Sequence, residues 1–184
     1  MSYCSYCKRD DVHEVHKVYH DTQYGFPIDS DNELFERLVL EINQAGLSWE
    51  TILKKQKGFK AAYDNFDIVT VANYGEDDRI RLLSDPSIIR NRLKVNAAIH
   101  NAREIRQIQS NYGSFKNWID SHHPLEIKDW VKLFKKHFKF VGGEIVNEFL
   151  MSTGYLPGAH DKNCPIFAEI QALNPKWLSY EINS

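Results

Sequence analysis

The three cysteines of this chain lie only toward its ends: Cys4 and Cys7 near one, Cys164 near the other. Histidines gather beside them, with His13, His16 and His20 after the first pair and His160 just before Cys164. Thiolate and imidazole together suit Zn²⁺ in a tetrahedral site, and His160-x3-Cys164 is an ordinary half-site. A metal held by both groups confines the fold to those whose first and last segments are neighbours. Spacing alone leaves the other half-site open. Cys4-x2-Cys7 is one candidate and Cys4 with His20 another. The plain alternative is surface histidines and cysteines that fill the core. An odd cysteine count without an apolar leader argues against a disulfide framework.

The rest of the chain reads as helix. No segment alternates apolar and polar residues over a strand length, and there is no repeat or proline-rich linker. Ser30-Asp31-Asn32-Glu33 resembles a capping box, and Leu34, Phe35, Leu38, Val39, Ile42 and Ala45 then recur at helical spacing up to Gly46. Ser48 opens a short helix through Thr51 to Gln56. Asp77 or Asp78 starts another, carrying Ile80, Leu82 and Leu83. A longer one runs from Asn91 to Gln109 with Leu93, Ala97, Ile99, Ala102 and Ile105 as its apolar positions. Shorter helices follow at Phe115–Ile119, Glu126–Phe138 and Glu144–Ser152, with a weaker one from Pro165 to Leu178. The expectation is an all-α fold in one domain, 1–184, long enough to bury a core without staples.

Three classes are set aside. The most apolar stretch, Leu34 to Leu47, is broken by Glu36, Arg37, Glu41, Asn43 and Gln44, so no membrane span is expected. The start has no apolar signal region, which points to a cytoplasmic protein. A net charge of −2 excludes a globally basic nucleic-acid coat, so any phosphate binding must be local.

Within this helical chain, Glu41 stands out. It is the sole charge in Leu38-Val39-Leu40-Glu41-Ile42, and Leu34, Leu38 and Ala45 share its helix face. A carboxylate there is costly unless paired. It is either a functional group or a structural one paired with an arginine such as Arg92 or Arg103. Tyr3, Tyr6, Tyr19, Tyr24 and Trp49 lie in flanking segments, as core packing or as a stacking surface for a base or cation. Phe138-Lys139-Phe140-Val141-Gly142-Gly143 reads as the turn of a helix-hairpin-helix, whose second helix offers backbone N–H groups to a phosphate. Lys128, Lys132, Lys135, Lys136 and Lys139 make that approach basic against only Glu126 and Asp129.

Taken together, four blocks resemble the 3-methyladenine DNA glycosylase I family. They are Cys4 with Tyr6; Tyr19-His20-Asp21-x2-Tyr24-Gly25-x-Pro27; Leu40-Glu41-x2-Gln44-Ala45-Gly46-Leu47-Ser48-Trp49 followed by Ile52-Leu53-Lys54-Lys55; and Phe138-Lys139-Phe140-Val141-Gly142 with His160-x3-Cys164. The resemblance implies a helix-hairpin-helix DNA glycosylase fold whose first and last segments are tied by a structural zinc on Cys4, His20, His160 and Cys164, leaving Cys7 spare. It implies a monofunctional enzyme, without lyase activity, that hydrolyses the N-glycosidic bond of 3-methyladenine in double-stranded alkylated DNA and releases the free base. The enzyme would act as a monomer in a bacterial cytoplasm. Glu41 is the implied catalytic residue, ionised and accepting hydrogen bonds from the flipped base. Tyr19, Trp49, Tyr6, Tyr24 and His16 are the implied base-binding residues. Gly46, Leu47, Lys139, Val141, Gly142 and Gly143 are the implied DNA contacts.

This chain also departs from the family pattern. Tyr24 stands where Trp is usual and His16 where an aromatic Tyr is common, which would make one pocket wall pH-sensitive. Glu148 stands where Ser is usual, and a second carboxylate would raise the pKa of Glu41 or shift base preference. The stretch between Ile119 and Trp130 is short. Asp161 falls near the offset at which related hairpin glycosylases carry a catalytic Asp; its alternative role is to orient His160. The competing readings of the whole chain are a non-catalytic helix-hairpin-helix protein that binds DNA or lesions through a retained pocket, and a zinc-stapled protein that binds a purine without DNA.

Overall fold

In the computed structural model, residues 2–179 are described, and among them there is no strand. Eleven α-helices follow one another: α1 Tyr3–Cys7, α2 Glu14–Thr22, α3 Asp31–Gln44, α4 Trp49–Ala62, α5 Ile68–Ala72, α6 Glu76–Ser84, α7 Arg92–Tyr112, α8 Phe115–His122, α9 Ile127–His137, α10 Gly143–Ser152 and α11 Pro165–Ala172. Short polar side chains start many of them by accepting backbone N–H groups that the helix leaves unpaired. Ser30 accepts from Glu33, Ser48 from Thr51, Asp67 from Thr70, Ser114 from Asn117, and Asn91 from both Leu93 and Lys94.

The central element is α3. Leu34, Phe35, Leu38, Val39, Leu40 and Ile42 are buried, and so are Glu36, Arg37, Glu41 and Asn43. The spacing suggested one apolar face; instead α3 is enclosed by α4, α7, α8 and α10. Glu36, Arg37 and Glu41 therefore lie inside the molecule, where each needs a partner.

Several boundaries differ from expectation. Helix α4 runs on to Ala62, α7 to Tyr112 and α8 to His122. The last helix ends at Ala172 because Asn174, at φ +54°, precedes Pro175, and a residue before proline is excluded from the α region. Leu93 and Ile80, expected to face the core, are 67% and 55% exposed. Helices α1, α2 and α5 carried no sufficient signal in the sequence. Two of them span five residues, too short for periodicity to register.

The hairpin forms where expected. Helix α9 stops at Phe138, whose N–H donates to Phe134 O at 2.7 Å, and Phe140 turns the chain at φ +61°. Asn101 of α7 clamps the turn from below: its Oδ1 accepts from Lys139 N at 2.8 Å and its Nδ2 donates to Lys139 O at 3.2 Å. Helix α10 then starts behind Gly142 with no side-chain cap, so its first N–H groups point outward.

Candidate active site and metal centre

Glu41 lies at the floor of a cavity of about 1070 Å³. Tyr19 of α2, Tyr24 just beyond it, Tyr3 of α1 and Trp49 of α4 form an aromatic wall. Tyr19 meets Trp49 edge to face at 5.2 Å and Tyr24 at 5.6 Å; Tyr3 meets Tyr24 at 5.2 Å. The mouth opens between Gln44–Gly46 on one side and Gly142–Glu144 on the other. At Gly46 the backbone reaches φ +80°, which suits glycine, and Leu47 beside it is 37% exposed.

The arginine whose charge acts on Glu41 is not Arg92 or Arg103 but Arg37, one helical turn earlier. The Arg37 guanidinium is buried, donates to Tyr19 Oη at 3.3 Å and Ser152 O at 3.0 Å, and lies 5.2 Å from the Tyr19 ring centre. Arg103 instead serves Ala72 O and Tyr74 O. Burial pushes the Glu41 carboxyl up to about 8; Arg37 opposes the rise, and the nearby Glu148 adds to it. Glu148, raised by its own burial, accepts a hydrogen bond from Tyr24 Oη at 3.4 Å. Burial foremost, then Glu148, keeps the Tyr24 phenol protonated.

Two expected wall residues lie one layer back. Tyr6 and His16 do not line the cavity; Tyr3 does. His16 Nδ1 pairs with Tyr3 Oη at 2.9 Å, and Tyr6 packs on both Tyr3 and His16. Burial holds His16 below its ordinary pKa, so it supports the wall as a neutral ring. The sequence offers both Tyr3 and Tyr6 as aromatics near Glu41, and the family resemblance favours Tyr6; on a five-residue helix, three positions change the face, and only packing shows which one faces inward. Around the mouth, Gly46, Gly142 and Gly143 line the cavity. Leu47 and Lys139 are exposed outside it, and Val141, 7% exposed, anchors the turn into the core.

Lys94 also joins the mouth, and nothing in the sequence marked it. Its ammonium is buried and donates to Asn43 O at 2.8 Å and Ala45 O at 2.7 Å, closing the C-terminal end of α3. It also sits 5.9 Å from the Phe140 ring centre, so one cation joins the Gly46 turn to the hairpin turn.

Behind Tyr24, Cys4, His20, His160 and Cys164 converge, all buried, with ligand atoms within 4.8 Å of one another. A zinc tetrahedron with two sulfurs and two nitrogens has N···S edges of about 3.6 Å. The observed separations are 3.2 Å for His20 Nε2 to Cys4, 3.5 Å for His160 Nδ1 to Cys4, and 3.7 and 3.8 Å from Cys164 to His160 and His20. The second ring nitrogens are engaged as metal-bound histidines require: His20 Nδ1 meets Asp21 Oδ1 at 2.6 Å, and His160 Nε2 donates to Tyr24 O at 2.7 Å. This buried group can hold a metal ion. Cys7 stands outside it, with its thiol toward His16 O. Asp161 belongs to this end of the molecule, away from the cavity. Its N–H donates to Cys4 Sγ at 3.3 Å and its carboxylate accepts from Ser2 Oγ, so it neither faces the cavity nor orients His160.

Known proteins with these features are readily found. A family model described as methyladenine glycosylase matches residues 8–132. DNA-3-methyladenine glycosylase 1 of Escherichia coli K12 is 34% identical over 84% of this chain and 91% of its own length. DNA-3-methyladenine glycosylase of Haemophilus influenzae is 30% identical over 80% and 89%. Among solved structures, 3-methyladenine DNA glycosylase I from Staphylococcus aureus superposes with a TM-score of 0.79 at 31% identity, over 89% of this chain and 95% of that one. A single-residue variant of 3-methyladenine DNA glycosylase I in complex with 3-methyladenine gives 0.80 at 31% identity, over 90% and 97%. Sequence and fold agree over most of both partners, and the chain belongs to the methyladenine glycosylase family.

Proposed function

We propose that this chain is a base-excision-repair DNA glycosylase that hydrolyses the N-glycosidic bond of 3-methyladenine in alkylated double-stranded DNA and releases the free base. The observation that carries the reading is a buried carboxylate, Glu41, under an aromatic wall, in a cavity whose mouth is framed by a helix-hairpin-helix. Unstacking a base costs a few kcal/mol, and stacking in the cavity offsets it. Tyr19, Tyr24, Tyr3 and Trp49 supply the faces, and Tyr6 and His16 hold Tyr3 in place. Glu41, protonated by burial while the cavity is empty, releases that proton to solvent against the cationic base, accepts hydrogen bonds from the base edge and favours its positive charge. Methylation at N3 makes the base a good leaving group. As the C1′–N9 bond breaks, its electron pair neutralises the purine ring and positive charge develops on the sugar, where water adds. No lysine lines the cavity among the described residues, so no Schiff base with the sugar is on offer, which supports simple hydrolysis.

On the DNA side, Leu47 beside Gly46 fills the gap left by the flipped base. The outward N–H groups behind Gly142 and Gly143, with Lys139, hold a phosphate. Zinc is the metal that the two thiols and two imidazoles best suit. When bound it cross-links the first and last segments; four protein ligands leave no open position, so its chemistry is structural. Residues 1–184 act as one domain, a cytoplasmic monomer on DNA. The direct test is chromatography of bases released from methylated duplex DNA by metal-loaded protein. Free 3-methyladenine supports the enzyme, whereas tight DNA binding without release supports the non-catalytic alternative.

A further inference from the structure

For a protein proposed to work on a polyanion, the cavity wall has an unusual charge. Glu41, Glu144 and Glu148 all line it, and no Lys, Arg or His does so among the described residues. The cation acting on Glu41, Arg37, lies behind the wall, engaged with Tyr19 and Ser152, and Lys94 at the mouth is spent on the carbonyls of Asn43 and Ala45. An acidic cavity repels phosphate, so it serves best for a ligand that is itself a cation. Glu148 is placed for that ligand. It projects from α10 into the space that Glu41 enters from α3, and Tyr24 Oη fixes it by a hydrogen bond to one carboxylate oxygen, leaving the other available.

We propose that Glu148 is a specificity-determining residue: with Glu41 it makes the cavity select purines that carry a fixed positive ring charge over neutral purines of the same shape. This rests on the glycosylase reading above and goes beyond it, because a single carboxylate under Arg37 would leave the site near neutral. With Glu41 and Glu148 ionised and Glu144 at the rim, carboxylates outnumber the one cation behind the wall, and the alkylated base supplies positive charge. Cleavage removes the ring charge, so the same arrangement loosens its hold on the neutral product. Before a ligand enters, burial foremost, and then repulsion from Glu148, favours a proton on Glu41 near neutral pH. The other groups facing the pair are Arg37, Tyr3, Tyr19, Tyr24 and Glu144.

The experiment compares two small ligands by calorimetry at pH 9, above the Glu41 titration. One is 3-methyladenine, neutral at that pH. The other is adenine methylated at both N3 and N9, a cation at that pH. The whole metal-loaded protein is used, as wild type, Glu148→Gln and Glu148→Ser. A unit charge removed from several ångströms away changes binding by about tenfold. The expected result is a loss of about tenfold for the cation in both variants and less than about twofold for the neutral base. The affinity of the cation should also rise with pH at a lower pH in Glu148→Gln than in wild type, because Glu41 is relieved of a like charge. Equal losses for both ligands overturn the selectivity role and leave the glycosylase reading intact. Wild type that binds neither ligand and releases no base from methylated DNA overturns both.

Discussion

Glu41→Gln separates what a residue does for function from what it costs the fold. A carboxyl raised on folding keeps a proton that the unfolded chain has lost, so stability declines as pH rises from the ordinary 4.5, and the loss is complete above about 8. Moving one carboxyl over that range corresponds to about 5 kcal/mol above pH 8 and about 3 kcal/mol at pH 7. Gln removes the charge but leaves a buried amide to satisfy, which returns about 1–3 kcal/mol. The expected net gain is about 0–2 kcal/mol at pH 7, or up to roughly 8 °C in melting temperature for a chain of this size. It should grow toward pH 9 and reverse to a loss of about 1–3 kcal/mol near pH 4, where the wild-type carboxyl carries no cost. Denaturant unfolding of wild type and variant at steps from pH 4 to 9 measures it. The same variant should excise 3-methyladenine about 100-fold more slowly, since a charge-assisted bond to the base edge is lost. A stability difference independent of pH, or a variant less stable than wild type at pH 8, would refute the burial argument. Undiminished excision would remove Glu41 from its proposed role.

Other perturbations follow from the same geometry. Cys164→Ser should lower bound metal and melting temperature together, read by elemental analysis and calorimetry; full metal content in the variant would exclude Cys164 as a ligand. Lys94→Met should cost about 2–3 kcal/mol in denaturant unfolding, because two carbonyls at the end of α3 lose an ionic donor. Excision from duplex should fall further than affinity for free 3-methyladenine, since the mouth loosens more than the floor, and equal losses would contradict that. Leu47→Ala, at an exposed position, should leave the unfolding midpoint within about 0.5 kcal/mol while slowing excision from duplex DNA several-fold. An unchanged rate would count against its role as a wedge.

Much of the fold was legible because its signals are local. Ser30, Ser48, Asn91 and Ser114 announce helix starts through a single hydroxyl or amide, and Gly142 behind α9 marks the hairpin. The long block around Glu41 identified the family before any geometry. Partnerships were less legible. Arg37 sits only four residues from Glu41, yet it was passed over for Arg92 and Arg103, because a helix taken as half-exposed leaves its own charges in solvent. Once α3 is enclosed on every side, a same-helix cation is the nearest available. Tyr3 and Tyr6 differ only in which side of a five-residue helix faces Tyr24, and Leu93 and Ile80 followed the helical period yet face solvent.

Read alone, the sequence determined the helical class, the hairpin, through the family resemblance the four residues that could hold a metal ion, and Glu41 as the group to explain. These depend on short-range spacing or on residue identity, which a chain carries in its order. Tertiary structure alone decided which tyrosine forms the wall, that Lys94 joins the two turns at the mouth, and that Tyr24 holds Glu148 by a hydrogen bond. Each of these depends on the direction of side chains from helices far apart in sequence, and packing sets that direction. The same cysteines that opened the question illustrate the division: their chemistry was visible from the start, but only the folded chain brings His20 Nε2 and His160 Nδ1 between Cys4 and Cys164.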